Sequence, residues 1–381
     1  MPDDTPALPL SGLLVVALEQ AVAAPYATAR LADAGARVVK LERPEGDFAR
    51  GYDDVAAGES SYFVLLNRGK QSVSMDLVKA ADRALFEALV ARADVFVQNL
   101  KPGALAKLGY AVESLCARHP RLIACSISGY GETGELASRK AYDLLIQAES
   151  GLASITGGPA EPARVGVSIV DIATGATAAQ AIMEALFQRE RTGRGADIRL
   201  SMFDVMVDWM AVPFLHAAAG KPPQRIGLAH PSISPYGVFT TRDGKPILIS
   251  IQNEREWVKL CSEVLEDPGF ATDPKHDSNV VRVQNRAVTD ARVQAGFARH
   301  DKADLAARLA KADIAFASVN EMSDVMTHPA LSTIDIETRN GKVATPRPAA
   351  QFVGAPRAYG ATPALAADTE AVRREFLGDT T

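Results

Sequence analysis

The chain of 381 residues contains little cysteine and histidine, and neither is arranged as a disulfide or metal site. Its three cysteines, Cys116, Cys125 and Cys261, form no CxxC pair, which excludes a disulfide framework and a thiolate zinc site and indicates a reducing compartment. The six histidines are scattered without an HExxH motif, and the GxSxG motif of serine hydrolases is absent. We therefore predict no metal and no tightly bound cofactor.

Long uncharged hydrophobic runs are absent as well, since no segment approaches the roughly 20 apolar residues that a membrane span requires. The segment 10–24 is apolar and ends in small residues, as a secretory signal does. However, Glu19 interrupts it and no basic residue precedes it. This pattern favours a buried strand that runs into a helix. We expect a cytoplasmic protein with no membrane partner.

The chain has no large excess of charge of one sign. Its 41 basic and 46 acidic side chains give a formal net charge of −5, so it has no general attraction to phosphate backbones. We expect no nucleic-acid partner, although a local basic pocket is compatible with this balance. The hydrophobic content of 47% is that of an ordinary globular protein.

The first half of the chain alternates short apolar runs with helical patterns. This alternation is typical of βαβ units around a mainly parallel sheet, so we predict an α/β fold. Strands are predicted at 12–18, 37–41, 72–77, 95–98 and 122–127, and helices at 23–35, 80–93 and 103–108.

The second half is divided by a Pro/Gly-rich linker over residues 220–237. Before the linker, an Ala-rich helix is predicted over 172–192, and the glycines that follow residue 192 end it. After the linker, Asp243-Gly244 predicts a β-hairpin, and the segment 254–325 is mostly helical.

Three motifs are candidates for chemistry on the residues alone. Gly129–Gly134 is a GxGxxG sequence, but it does not follow the first strand and no convincing helix follows it. A glycine-rich loop is therefore favoured over a dinucleotide site. Asp204 and Asp208 share one face of a predicted helix. They are interpreted either as a catalytic dyad or as a structural pair. Asp171 precedes a helix rich in small residues. It is interpreted either as a cap of that helix or as a carboxylate nucleophile in an apolar pocket.

Short motifs also recur in order along nearly the whole chain. They lie at 24–27, 31–36, 38–44, 66–72, 94–99, 102–103, 128–131, 141–143, 170–175, 193–195, 230–233, 235–237 and 285–286. The ordered set resembles the family III CoA-transferases, which include formyl-CoA transferase, carnitine CoA-transferase, succinyl-CoA:dicarboxylate CoA-transferases and the related α-methylacyl-CoA racemases.

The resemblance implies that Asp171 is the catalytic nucleophile. In such enzymes the aspartate attacks a thioester to give an acyl-aspartyl anhydride and free CoA. The thiolate then forms an aspartyl-CoA thioester, and an incoming carboxylate reverses these steps. Tyr142 is implied to pack against or orient the acyl group, and Asp143 to hydrogen-bond nearby backbone. A racemase would place a histidine at position 142, so racemisation is the less favoured alternative, together with acyl-CoA binding without turnover.

The resemblance further implies a dispersed CoA-binding set in which basic side chains contact phosphates. Its members are Arg43, Leu66, Lys70, Asn99, Leu100, Lys101, Lys107 and Lys140. The family's mobile glycine-rich loop corresponds to residues 250–254, which contain no glycine. Gln252 and Asn253 are the candidates in that loop to donate hydrogen bonds to an oxyanion.

Small dicarboxylic acids are the substrates that the resemblance favours, because the segment 227–237 is similar to members acting on them. We expect succinyl-CoA as the donor and mesaconate, itaconate, citramalate, malate or glutarate as the acceptor. Arg164 and Arg225 are two candidates to pair with the distal carboxylate.

The overall prediction is a Rossmann-like large domain with a smaller inserted α+β domain. The large domain covers residues 1–220, the small domain 221–330, and the C-terminal segment 331–381 returns to the large domain to complete its sheet. The resemblance also implies an interlocked homodimer, in which each chain passes through its partner.

Overall fold

The computed structural model describes residues 8–355 and 357–378, so residues 1–7, 356 and 379–381 of the predicted domains lie outside the described part. The strands are β1 Leu14–Leu18, β2 Arg37–Glu42, β3 Lys70–Ser74, β4 Val95–Gln98, β5 Ile123–Ser128, β6 Ala196–Ser201, β7 Tyr236–Thr240, β8 Pro246–Ser250, β9 Ala315–Ala317, β10 Thr333–Thr338 and β11 Gly341–Pro346. The helices of the first half are α1 Ala23–Asp33, α2 Ser61–Asn67, α3 Ala80–Arg92, α4 Ala104–Lys107, α5 Val112–Arg118, α6 Asp143–Glu149, α7 Leu152–Ile155 and α8 Ile169–Thr192. The later helices are α9 Met202–Trp209, α10 Ala211–Ala218, α11 Glu254–Lys259, α12 Pro268–Thr272, α13 Asn279–Gln284, α14 Arg286–Phe297, α15 Lys302–Lys311, α16 Met322–Val325 and α17 Thr369–Leu377. A 3₁₀ turn at Phe48–Gly51 and a π turn at Leu260–Val264 complete the set.

The chain divides into two compact units. The first, here called the sheet unit, contains the described residues up to Leu152, Arg164–Phe214 and the described residues from Ser332 onwards. The second unit contains Ala153–Ala163 and Leu215–Leu331.

The sheet unit is built on six parallel strands in the order β3-β2-β1-β4-β5-β6. This order is that of a Rossmann-like doubly wound sheet, in which strand order reverses between β1 and β4. The predicted α/β class with a parallel sheet is therefore confirmed. Ligands of such sheets bind at the carboxyl ends of the two strands at the reversal. We therefore expect a ligand site beside the residues that follow Leu18 of β1 and Gln98 of β4.

Alternate strand residues enter two hydrophobic cores, one on each face of the sheet. Val15 and Ala17 of β1 join the core formed with α1, α8 and α9. Val16, between them, joins the core formed with α3, α5 and α17. Because both faces are covered by helices, the central strands β1 and β4 are almost wholly apolar, which is why their existence was predictable from sequence.

The C-terminal segment does not complete the parallel sheet, and this prediction is wrong. Strands β10 and β11 pair with each other as a separate antiparallel sheet. The edge of β3 is covered instead by Asp368 and Thr369, whose side chains accept hydrogen bonds from the backbone N–H groups of Ser72 (2.8 Å) and Ser74 (2.9 Å). Side chains thus satisfy edge groups that a seventh strand would have paired.

Two element boundaries also differ from prediction. The strand predicted at 72–77 lies at Lys70–Ser74, because its first residue, Lys70, is a buried polar residue that an apolar pattern does not detect. Helix α8 begins at Ile169, three residues before its predicted start at 172.

The second unit has its own sheet and core. Strands β7, β8 and β9 form an antiparallel sheet in that order, and β7 and β8 are joined by the predicted turn at Asp243-Gly244. Trp257, Phe270 and Phe297 are buried in a core that this sheet forms with the surrounding helices. The inserted α+β domain with limits 221 and 330 stays a prediction.

Helix α8 is long and apolar enough, by length and composition, to cross a membrane. However, Val170, Ala178 and Ile182 of this helix are buried in the core of the sheet unit. A core helix meets the same length and composition test, so α8 does not indicate a membrane protein.

Close contact between α1 and α8 depends on Gly175. A Cβ atom at this position would lie 2.5 Å from the carbonyl oxygen of Ala23 and 2.8 Å from Cβ of Tyr26. We expect Gly175→Ala to lower the free energy of unfolding by about 1–3 kcal/mol in denaturant titrations, although alanine is the better helix former. Gly51→Ala is the control, because no atom lies within 4 Å of the added Cβ there. Equal stability of the two variants would contradict the close packing.

Candidate active site

A cavity of about 600 Å³ lies at the point where the strand order of the sheet unit reverses. Gln20 and Ala21, which follow β1, and Asn99 and Leu100, which follow β4, line it. Asp171 lines the same cavity from the first turn of α8. The structure therefore brings the predicted nucleophile to the position that the sheet topology favours for a ligand.

Asp171 is held by a buried carboxylate on another helix. Oδ1 of Asp143, the first residue of α6, accepts hydrogen bonds from the backbone N–H groups of Val170 (2.8 Å) and Asp171 (3.2 Å). Its Oδ2 accepts a hydrogen bond from Nε2 of Gln147 (2.6 Å). Asp143 thus caps α8 from outside the helix and leaves the side chain of Asp171 free of the capping role.

The environment of Asp171 disfavours its charged form. Burial, and then the negative charge of Asp143, raise the pKa of Asp171 from its ordinary value of 3.8 to about 7. No described residue donates a hydrogen bond to its carboxylate. A carboxylate with a raised pKa is more basic and more nucleophilic than an exposed one, and perturbed carboxyl groups in cavities are typical of active sites.

Aromatic side chains form one wall of the cavity. Tyr52 lies between Phe48 and Tyr62, with ring centroids 5.8 and 5.5 Å away, and the hydroxyl of Tyr62 lies 3.3 Å from Oγ of Ser168. Burial and the charges of Asp47 and Asp171 raise the pKa of Tyr52 to about 12, so its hydroxyl keeps its proton. Tyr142 also lines the cavity.

Phe48, Tyr52 and Tyr62 are site residues that were not predicted from the sequence. They lie in and beside short elements between β2 and β3, where no periodic pattern marks them. The available signal was that three aromatic residues cluster in a short stretch of a chain that is only 6% aromatic.

Asn99 supports the turn after β1. Its Oδ1 accepts a hydrogen bond from the backbone N–H of Gln20 (3.0 Å), and its Nδ2 donates to the carbonyl of Gln20 (2.8 Å). The next residue, Ala21, has a positive φ of 63° and donates its N–H to Oδ1 of Asp47 (3.1 Å). Two side chains therefore hold an unfavourable backbone conformation at the cavity wall.

Leu66 and Lys70, two members of the predicted CoA set, are buried and line neither this cavity nor the one beside it. Nζ of Lys70 donates to Oε1 of Glu19 (2.6 Å) and to Oδ1 of Asn67 (3.1 Å). Burial lowers the pKa of Lys70 to about 8, against the opposing effect of Glu19. The structure thus gives the lysine a partner inside the protein and does not present it to a ligand.

Other basic residues are exposed at cavities. Lys101 and Lys140 line the main cavity, together with Arg139 and Arg164. Arg43 lines a neighbouring cavity of about 360 Å³, which shares Leu100 with the main one. Lys107 is exposed at the end of α4 and lines neither cavity.

Gln252 and Asn253 belong to the second unit. Asn253 caps α11, since its Oδ1 accepts from the backbone N–H of Glu256 (3.0 Å) and its Nδ2 donates to that residue's carboxylate (2.7 Å). Gln252 donates its side-chain amide to Oγ of Ser250. Their role toward an oxyanion stays a prediction.

The glycine-rich loop is explained by close packing. A Cβ atom on Gly129 would lie 2.2 Å from Cβ of Ala141, so glycine is needed where the loop approaches the segment before α6. The residues after Gly134 form turns until α6 begins at Asp143, without the helix that a dinucleotide site needs at this point. The loop contributes Gly129 itself to the cavity wall.

The remaining candidate sites gain no support. Asp204 and Asp208 are exposed on α9 and do not line the main cavity. Within residues 8–355 and 357–378, no group of three or more His, Cys, Asp or Glu side chains is placed to hold a metal ion.

Comparison with known proteins gives a consistent result over the whole chain. The sequence model of CoA-transferase family III matches residues 10–369. The acetyl-CoA:oxalate CoA-transferase of Acetobacter aceti is 35% identical over 385 residues, which covers 99% of this chain and 98% of that protein. The succinate–glutarate CoA-transferase of Agrobacterium fabrum is 35% identical over 357 residues, with coverage of 90% and 88%. The crystal structure of a CAIB/BAIF family protein from Brucella suis has 37% identity and a TM-score of 0.82, and covers 97% of this chain and 100% of that one.

The raised pKa of Asp171 predicts a pH-dependent stability effect. The unfolded chain releases this proton near pH 3.8 and the folded protein near pH 7, so ionisation destabilises the folded state increasingly between these values. We expect Asp171→Asn to raise the free energy of unfolding by about 1–3 kcal/mol at pH 8, after allowance for partial solvation. The gain should shrink toward pH 4, which is the internal control. A gain that does not change with pH in denaturant titrations would contradict the raised pKa.

Proposed function

The chain belongs to CoA-transferase family III, and from that membership we propose that it transfers CoA from succinyl-CoA to a small dicarboxylic acid, with Asp171 as the nucleophile. The observation that carries the assignment of Asp171 is its position on the main cavity with a pKa near 7 and no described hydrogen-bond donor on its carboxylate. A carboxylate suits this reaction because an anhydride and a thioester both conserve the acyl energy when water is excluded.

The first half of the reaction removes the donor acid. The carboxylate of Asp171 attacks the thioester carbonyl, the C–S bond breaks, and CoA thiolate leaves an acyl-aspartyl anhydride. The thiolate then attacks the aspartyl carbonyl of that anhydride. The donor leaves as a free carboxylate, and Asp171 carries CoA as a thioester.

The second half repeats these steps with the acceptor. The acceptor carboxylate attacks the aspartyl thioester and displaces CoA thiolate to form a second anhydride. Attack of the thiolate on the acceptor carbonyl then forms the new acyl-CoA and restores the carboxylate of Asp171. Charge and atoms balance without any external oxidant, reductant or base.

Asp143 and Tyr142 have distinct roles in this proposal. Asp143 is a positioning residue, because it binds the backbone at Asp171 and raises the pKa of its carboxyl group. Tyr142 is exposed on the cavity wall, where its ring is available to pack against the acyl group.

We place CoA along the two cavities that share Leu100. Arg43 and Lys101 are its phosphate contacts, with Lys107 as a third candidate beyond the cavities, and Lys140 contacts the pantetheine end. Asn99 acts by holding the turn at Gln20.

The choice of substrates rests on relatives. The name of the Agrobacterium fabrum enzyme pairs succinate with glutarate, and that of the Acetobacter aceti enzyme pairs acetyl-CoA with oxalate. Dicarboxylic acids are common to both names. Glutarate therefore has the most direct support among the acceptors we expect, which also include mesaconate, itaconate, citramalate and malate. The homodimer and the cytoplasmic location are part of the same proposal.

Covalent trapping tests the role of Asp171. We expect incubation with succinyl-CoA and hydroxylamine to modify the peptide that contains Asp171, as detected by mass spectrometry. Asp171→Ala should abolish transfer and the adduct while CoA binding persists, and the exposed-carboxylate control Asp208→Ala should keep both. Absence of any adduct on the unmodified chain, with CoA still bound, would favour a binding protein without turnover. Deuterium incorporation at the α-carbon in D₂O, without transfer, would favour the racemase.

The pH profile of the first half-reaction provides a separate test. Only the ionised form of Asp171 attacks, so kcat/KM for the donor should rise about tenfold per pH unit below pH 7 and level off above it. Asp143→Asn removes the neighbouring negative charge, so the inflection should move to lower pH. An inflection that stays in place in this variant would show that Asp143 does not control the ionisation.

A further inference from the structure

Four basic side chains line the main cavity, and they differ in their partners. Arg139 forms an ion pair with Glu149 and lies over the ring of Tyr130. Lys101, Lys140 and Arg164 have no ion-pair partner among the described residues. These three are therefore the cations that the cavity offers to an anionic ligand.

Arg164 is linked to the nucleophile through the protein interior. The backbone N–H of the next residue, Val165, donates to Oε1 of Gln147 (2.9 Å), whose Nε2 donates to Oδ2 of Asp143 (2.6 Å). Asp143 in turn binds the backbone of Asp171. One buried amide–carboxylate pair thus holds both the segment that carries Arg164 and the turn that carries Asp171.

Only one of the guanidinium nitrogens of Arg164 donates a hydrogen bond to a described residue. Its Nε donates to the carbonyl of Val165 (3.1 Å), and no described acceptor occupies either terminal nitrogen. The bond at Nε orients the group, while the two terminal nitrogens present the planar fork that pairs with a carboxylate.

The other two cations belong to different parts of the cavity wall. Lys101 follows Leu100, the residue shared with the cavity of Arg43, so it lies on the side assigned to the CoA phosphates. Lys140 is in the loop before α6 and presents a flexible ammonium, which lacks bidentate geometry. Arg164 is the cation whose backbone is tied to Asp171.

We propose that Arg164 binds the distal carboxylate of the substrates and thereby makes the enzyme selective for dicarboxylic acids. This inference rests on the proposed function. Donor and acceptor acyl groups both react at Asp171 in the same cavity, so one guanidinium serves both half-reactions. A monocarboxylic acyl group has no distal carboxylate to pair with Arg164, so the guanidinium stays hydrated and contributes nothing to binding of that group.

The test compares succinyl-CoA with butyryl-CoA, which has the same four-carbon chain but a methyl group in place of the distal carboxylate. The release of the free donor acid, succinate or butyrate, in the first half-reaction is measured for each donor. We expect Arg164→Gln to lower kcat/KM for succinyl-CoA by about 30- to 100-fold and that for butyryl-CoA by less than about threefold. Arg164→Lys, which keeps the charge but loses the fork, should lower the succinyl-CoA value by about tenfold. The acceptor KM for glutarate should rise in parallel.

Two matched variants separate this role from others. Arg225→Gln, which removes a guanidinium bonded to backbone carbonyls of the second unit, should leave the ratio of the two donors unchanged. Lys140→Gln should weaken both donors equally, as loss of a CoA contact does.

The proposal is overturned if Arg164→Gln slows both donors equally, if it slows neither, or if Arg225→Gln is the variant that changes the ratio. Failure of the proposed function is a different result, because the unmodified enzyme would then form no adduct on Asp171 with either donor.

Discussion

The hydrogen bonds from the first turn of α8 to the carboxylate of Asp143 are the interaction on which the rest of the site depends. They place Asp171 in the cavity, cap the longest helix of the sheet unit from outside, and put a second negative charge beside the proposed nucleophile. A helix capped by its own N-terminal side chain would have used that side chain for structure. Because Asp143 takes the capping role, the side chain of Asp171 stays available for the proposed reaction.

Buried ion pairs support the part of the cavity wall that contains Ala21. Nζ of Lys40 lies 2.8 Å from Oδ2 of Asp47 and 3.6 Å from Glu19, and Lys70 pairs with the same glutamate at 2.6 Å. Asp47 also binds the backbone of Ala21 at the cavity. These lysines are therefore structural, and breaking such a network would leave uncompensated buried charge. The lysines and arginines that remain exposed at the cavities are the ones available for phosphate and carboxylate groups.

Motif order along the chain located Asp171, Tyr142, Asp143, Lys140 and the residues 99–101, all of which line one cavity. The same reasoning included Leu66 and Lys70, which are buried within the sheet unit. Phe48, Tyr52 and Tyr62 were not predicted, because the short elements between β2 and β3 are too short to show a periodic pattern. A motif places a residue along the chain, whereas its exposure depends on which distant elements pack against it.

The sequence alone determined the parallel α/β architecture, because the central strands, covered on both faces, are apolar and alternate with helical patterns. It also gave the position along the chain of Asp171, the proposed nucleophile. Only the tertiary structure decided that Asp368 and Thr369 cover the edge of β3 in place of a strand, that Lys70 is paired with Glu19, and that Arg164 shares a cavity with Asp171. Each of these depends on contacts between residues far apart in sequence, and their burial and charge pairing exist only after the chain has folded.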